Sequence, residues 1–371
     1  MKSFFSHLPF FKGAKKQKSR TFKFVAAFLA SVFVSFVLVV IIGWIVIDRV
    51  YVVPPELPPM PTRHPPTLNI PPSSTSQENE NDDETELTLP WYYGLVAPER
   101  FTEDDRRDNF FTFMIIGLTE RYLANTIMVA SYNYETKEAH LISIPRDSLI
   151  NTNRIGRKLA SSYLAGGIAA LQRDVMTVIG FVPDFYVILD YDAFFAIIDA
   201  VGGIIIDVPF HMRYDDPFQD LFIDIPEGLQ RMDSYTALHF SRFRQSNIAG
   251  FRSPPNSDYF RIESQQKVIN AVISELLRPS NLVRVLDFVD IFHDAVETNL
   301  EFGNMLWFAR ELNHIRGTDA LVSYTAPMLG TSGEPMWYEL LNARGIVDLV
   351  NRTINPFYRD IELRDVSIVT Q

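Results

Sequence analysis

Four arginines and a glutamine are the side chains of this sequence best suited to chemistry. Arg146 and Asp147 follow at once on the apolar stretch Leu141-Ile142-Ser143-Ile144-Pro145. Pro145 has no N–H to give a sheet ladder, so a strand here ends at that point. The charged pair is then presented at a strand's carboxyl end, where open α/β sheets place their ligand sites. Arg242 and Arg244 share one parity with Leu238 and Phe240, so an extended segment would point both guanidinium groups to the same side. Arg261 falls in the first turn of a predicted helix, and Gln265, four positions on, shares its face. A guanidinium is a rigid fork of donors that keeps its charge and matches phosphate oxygens in pairs. Four of them on one concave surface would suit a diphosphate better than a carboxylate, and a helix N-terminus beside them would add partial positive charge. The competing reading is four separate surface arginines, the first of them in a plain solvated turn. Zinc motifs of the HExxH type, phosphate loops, GxSxG elbows and a glycine-rich dinucleotide fingerprint are absent, and none of the seven histidines forms a ligand-like pair.

The elements that must position these residues alternate between strand and helix. Segments 110–118 (FFTFMIIGL) and 124–133 (ANTIMVASYN) read as strands, and a third (AHLISIP) leads to Arg146. Residues 160–180 become helical at their end, where Ile168, Leu171, Val175 and Ile179 recur at spacings of three and four. A strand over 185–191, a short helix over 192–203 with Asp192 as its N-cap, and a strand over 204–209 follow. The stretch up to Gly228 reads as loop, and residues 245–257 as a turn-rich insertion. A strong helix covers 258–278, with Ile262, Ile269, Val272 and Leu276 as its expected buried face. Two more helices are predicted near 281–296 and 303–315, then a strand (ALVSYTAP) and a helix near 336–353. Strands alternating with helices predict an α/β core.

Charge and hydropathy give the chain an address. Residues 24–47 carry no charge, and as helix they would be about 36 Å long at ~1.5 Å per residue, more than a bilayer core of ~30 Å needs. A single transmembrane helix is predicted there. A signal peptide is disfavoured, because its apolar region runs to only ~7–15 residues and no small-residue cleavage site follows. Residues 1–23 hold seven basic side chains and no acidic one, which keeps the N-terminus cytoplasmic and sends the rest outside. Without those seven, the formal charge falls from −11 for the whole chain to −18 for the remainder. So acidic an exterior argues against nucleic acid as a partner. Residues 48–90 form an expected stalk, first rich in proline (nine between Pro54 and Pro72) and then acidic. Residues 91–371 are the extracytoplasmic domain, which without cysteine has no disulfides.

The ordered motifs SIPRDS, SSYLAGG, FYVILDYDAFFAIIDAVGGIIIDV, EGLQRMDSYTALHFSRFR and DYFRIESQQKVI resemble those of the LytR–CpsA–Psr (LCP) family of cell-envelope proteins, from about residue 110 to about 355. That resemblance implies a three-layer α/β domain with a central mixed sheet flanked by helices. It also implies a phosphotransferase that moves a glycopolymer from a polyprenyl-pyrophosphate carrier to peptidoglycan through a phosphodiester bond. Carried over, the pyrophosphate-binding positions are Arg146, Arg242, Arg244, Arg261 and Gln265, with Arg146, Arg242 and Arg244 as the catalytic ones. The lipid tail would need an apolar groove, which segments 185–206 and 259–276 could line, although they fit plain core equally well.

The sequence departs from the family where a magnesium ion is implied. Two aspartates that hold Mg²⁺ beside the pyrophosphate are replaced by Thr119 and Asn125, and uncharged oxygens attract a hard cation weakly. Glu120 and Asp147 are the nearest substitutes, although in a strand-like segment Glu120 would point to the other side. Ser264 stands where an arginine usually precedes the glutamine pair. A degenerate member that binds polyprenyl-phosphate lipid or partners without efficient turnover is therefore the alternative to the enzyme. A membrane-tethered regulator of transcription is disfavoured, since residues 1–23 are too short for a DNA-binding domain. The complete arginine set with Gln265 favours the enzyme.

Overall fold

In a computed structural model, the residues described are 54–60, 101–119, 122–152, 156–218, 220–282, 284–311, 321–332 and 336–369. The predicted transmembrane span 24–47 and most of the stalk lie outside them. Among the described residues no helix is long and apolar enough to cross a membrane.

A six-stranded mixed sheet is built from β1 (Phe110–Leu118), β2 (Ala124–Asn133), β3 (Glu138–Ser143), β4 (Phe185–Leu189), β9 (Glu297–Thr298) and β10 (Leu321–Thr325), in the order β10-β3-β2-β1-β4-β9. β1 runs antiparallel to β2 and parallel to β4, and β3 runs parallel to β10. β1 is apolar on both faces because both are covered. Met114 and Ile116 pack with Leu171 and Val175 of α1 (Ser162–Ile179) and with Leu349 and Val350 of α7 (Ala343–Thr353). Phe111 and Phe113, of opposite parity, meet Phe308 of α6 (Phe302–Glu311) at 5.3 and 4.9 Å between ring centroids. The three-layer α/β core expected from the resemblance is thus present.

A second apolar core gathers α2 (Tyr191–Ala200), α3 (Ser234–Arg242), α4 (Ser257–Leu276) and two hairpin ladders. The ladders pair β5 (Ile204–Val208) with β8 (Gly228–Met232), and β6 (Met212–Asp216) with β7 (Leu221–Ile225). The stretch up to Gly228, expected to be loop, contains β6, β7 and the start of β8. Of the segment Leu238–Arg244, expected to be extended, the part up to Arg242 belongs to the helix 234–242, which the Asp233 carboxylate caps by accepting from Thr236 N at 2.8 Å. The α2 cap is Asp190 rather than Asp192, accepting from Ala193 N at 2.9 Å. The last helix begins only at Ala343, since β12 (Tyr338–Leu341) pairs with β11 (Met328–Ser332) ahead of it. The helix predicted near 281–296 is α5 (Val285–Ala295), and α1 is broken at Gly166 and Gly167.

Candidate functional site

Arg146 is fixed by its backbone. After β3 the chain turns at Pro145, whose carbonyl accepts from Ser148 N (3.1 Å) and Ser148 Oγ (2.6 Å). The turn is clamped from two sides. Ala160 N donates to Arg146 O at 2.8 Å, and Glu339 N of β12 donates to Asp147 O at 3.0 Å. Arg242 is the last residue of α3. Phe243 then leaves helical geometry (φ −61°, ψ 133°) and is buried, its ring 6.1 Å from Phe210 and 6.0 Å from Phe260. That swing returns Arg244 to the side of Arg242, although the two do not lie on one strand. On α4, Gln266 Nε2 donates to Ser143 Oγ and Tyr324 O, both at 2.9 Å, which docks the helix on the sheet and leaves Gln265 facing outward from that contact.

All five predicted anion-site residues line one cavity of about 800 Å³: Arg146, Arg242, Arg244, Arg261 and Gln265. The same cavity is lined by Val187, Leu189, Ile197, Leu221, Ile223 and Phe292. Along α4 its wall changes character, from Arg261 and Gln265 to Val268, Ile269, Val272, Ile273 and Leu276. At ~1.5 Å per residue that is about 22 Å of helix. Ile269, Val272 and Leu276, expected to be buried, are only partly so because they form this wall.

The cations are held close together. Asp258 bridges two of them, with Oδ2 2.6 Å from Arg244 Nη2 and Oδ1 2.8 Å from Arg261 Nη2. Burial, with Arg146 and Arg244 nearby, pushes the Arg261 guanidinium down to about 10. The Arg242 guanidinium stands 5.8 Å from the Tyr191 ring centroid, a cation–π contact. Arg146 Nη1 donates to Asn125 Oδ1, and Arg146 Nε lies 3.5 Å from Asp147 Oδ2. Asp147 pairs more closely with Lys158 Nζ, at 2.8 Å. Burial opposes its ionisation, but the Lys158 hydrogen bond and the charges of Arg146, Lys158 and Arg261 hold it below the usual carboxylate range.

The residues at the implied metal positions do not fit a hard cation. The Asn125 oxygen is turned to a guanidinium. The Thr119 hydroxyl lies 3.4 Å from Leu123 N, within its own turn. Asp147 is engaged by Lys158, and Glu120 lies outside the described residues. No cluster of three acidic or histidine side chains suited to a metal occurs among the described residues. Sequence reasoning missed Lys158, Tyr191 and the bridging role of Asp258. The last was available from its i, i+3 spacing to Arg261. Lys158 lies in an irregular segment eleven positions from its partner, and no periodicity marks it.

Known proteins with similar sequences and folds identify the family. Polyisoprenyl-teichoic acid–peptidoglycan teichoic acid transferase TagU of Bacillus licheniformis is 26% identical over 203 residues, which are 53% of this chain and 61% of TagU. The regulatory protein MsrR of Staphylococcus aureus is 22% identical over 240 residues, 63% of this chain and 69% of MsrR. Among solved structures, Bacillus subtilis TagV superposes with a TM-score of 0.55 at 20% identity, covering 66% of this chain and 95% of TagV. TagT bound to LIIa-WTA gives 0.53 at 16% identity, covering 67% of this chain and 91% of TagT. The LytR_cpsA_psr family model matches residues 73–352, starting well upstream of the first motif. With most of its length matched and the fold shared, this chain belongs to the LytR–CpsA–Psr family.

Proposed function

We propose that this protein is a membrane-anchored phosphotransferase that moves a glycopolymer from a polyprenyl-pyrophosphate carrier to peptidoglycan through a phosphodiester bond. Residues 24–47 anchor it, residues 1–23 are cytoplasmic, and the domain from residue 91 onward works outside the membrane. The observation that carries the reading is the two-part wall of one cavity, cationic at Arg146, Arg242, Arg244, Arg261 and Gln265 and apolar further along α4. A diphosphate joined to a long hydrocarbon is the ligand class that needs both. Phosphoryl transfer asks for positioning and charge stabilisation more than for covalent help from the protein. An acceptor hydroxyl attacks the phosphorus that carries the glycan and gives its proton to solvent, the anhydride P–O bond breaks, and polyprenyl phosphate leaves with the charge that the arginines stabilise. The relatives named as teichoic acid transferases support the same reaction class.

The test is titration of full-length protein in detergent with a polyprenyl diphosphate. Wild type binds, and the Arg242→Ala/Arg244→Ala double variant loses roughly a hundredfold in affinity or more, two charged contacts being worth about 3 kcal/mol together. Unchanged binding in the double variant overturns the site. Replacement of both implied metal carboxylates favours a second reading, a lipid-binding member without turnover. Transfer of labelled glycopolymer to peptidoglycan separates the two, because only the enzyme leaves label on the wall.

A further inference from the structure

The cation cluster is short of an anion, whereas a metal-assisted site is short of a cation. Arg261 is buried and already crowded by Arg146 and Arg244. Arg146 Nε is buried and makes no hydrogen bond among the described residues, with Asp147 Oδ2 3.5 Å away as an ion-pair contact, and its other arm is held by Asn125. The choice of an amide at 125 has a physical consequence. An aspartate there would hold Arg146 equally well but would cancel its charge, unless a divalent cation took up the carboxylate. A neutral amide oxygen orients the guanidinium without adding a negative charge, so the only carboxylate beside Arg146 among the described residues is Asp147, which Lys158 shares. Thr119 makes the matching change, its hydroxyl turned to Leu123 rather than toward the cavity. The carboxylate left nearby, Asp147, is held by Lys158.

Resting on the diphosphate reading, we propose that Arg146, oriented by the neutral Asn125, supplies the positive charge that a magnesium ion would otherwise bring, so that diphosphate binding here needs no divalent cation. Asn125 is then a positioning residue, and its replacement by a carboxylate converts the site to metal dependence.

The experiment titrates geranylgeranyl diphosphate into the full-length protein in detergent, by calorimetry, in EDTA and in millimolar Mg²⁺. Wild-type affinity is expected to agree within roughly twofold between the two buffers, a difference of about 0.4 kcal/mol. Asn125→Asp is expected to bind roughly tenfold more weakly in EDTA, about 1.4 kcal/mol, and to recover in Mg²⁺. Thr119→Asp/Asn125→Asp should show a larger recovery. Wild-type binding that appears only with Mg²⁺ overturns this inference and leaves the diphosphate site standing. So does an Asn125→Asp variant that binds in EDTA as wild type does. No binding by wild type in either buffer overturns the diphosphate reading itself, and this inference with it.

Discussion

Two arginines are buried among the described residues, and they are buried for opposite reasons. Arg106 donates to Pro356 O and Phe110 O at 2.8 Å and to Asp184 Oδ2 at 2.5 Å, and the same carboxylate oxygen accepts from Thr112 N and Thr112 Oγ1. It is a paired charge whose removal strands a partner. Arg261 shares its Asp258 carboxylate with Arg244 and faces the guanidinium groups of Arg146 and Arg244. Its folded pKa, near 10, lies below the ordinary arginine value, so the unfolded chain holds this proton more tightly than the folded one. Folding is therefore penalised wherever Arg261 stays charged, at all pH below about 10, and the penalty is relieved only as pH rises past that value. A bound anion relieves it at neutral pH. Arg261→Met should consequently melt at or slightly above wild type without ligand, because Asp258 keeps Arg244. Breaking an ordinary buried pair costs about 3–5 kcal/mol. A diphosphate should raise the melting temperature of wild type more than that of the variant. A ligand-free variant that melts many degrees lower would make Arg261 a structural residue instead.

At the scale of elements, the end of α3 decides whether Arg242 and Arg244 act together. Phe243 lies between them, buried against Phe210 and Phe260, and its extended backbone converts a helical approach into a loop that shows both arginines to the cavity. Phe243→Ala should cost about 3–5 kcal/mol of stability. It should also weaken diphosphate binding at temperatures where the variant stays folded, while Phe243→Leu keeps most of both. Denaturant titration and ligand titration read the two effects, and an affinity unchanged in a folded Phe243→Ala would show that the arginines find their places without this anchor. The sequence put the two arginines on one side for a reason that does not hold, since parity describes a strand and these residues end a helix. An alternation of apolar and polar positions over Leu238–Arg244 is compatible with both, and the Asp233 cap was the signal that separates them. The strands around Arg146 were legible because β1 is apolar on both faces and Pro145 marks where β3 must stop. β6 and β7 were not, because Asp215, Asp216, Asp220 and Asp224 give a short hairpin the composition of a loop. Only the alternation of buried Leu221, Ile223 and Ile225 with exposed neighbours identifies the strand.

For the molecule as a whole, the question is why a chain of formal charge −11 gathers its arginines beside an apolar cavity. In an acidic protein a local cationic cluster selects for ligands that reach it by something other than long-range attraction, and burial of hydrocarbon is that other term. The cavity wall draws on the six-stranded sheet and on the second core, with Leu189 from β4, Ile197 from α2, Leu221 and Ile223 from β7, and Val272 and Leu276 from α4. Segments 185–206 and 259–276 therefore serve as groove as well as core, and the hairpin taken for a loop completes the wall. Hydrocarbon burial is worth at most ~0.8 kcal/mol per methylene, and ordering the chain takes back a large part of it. Affinity should then rise by roughly tenfold or more, ~1.4 kcal/mol, for each isoprene unit added from geranyl to farnesyl to geranylgeranyl diphosphate. The rise should level off once the chain fills the space of about 800 Å³. Leu276→Asp, far along α4 from the arginines, should flatten the dependence on chain length while leaving the contribution of the diphosphate intact. Affinity that is independent of chain length in wild type would place the hydrocarbon outside the cavity, and the apolar half of the wall would then be ordinary core.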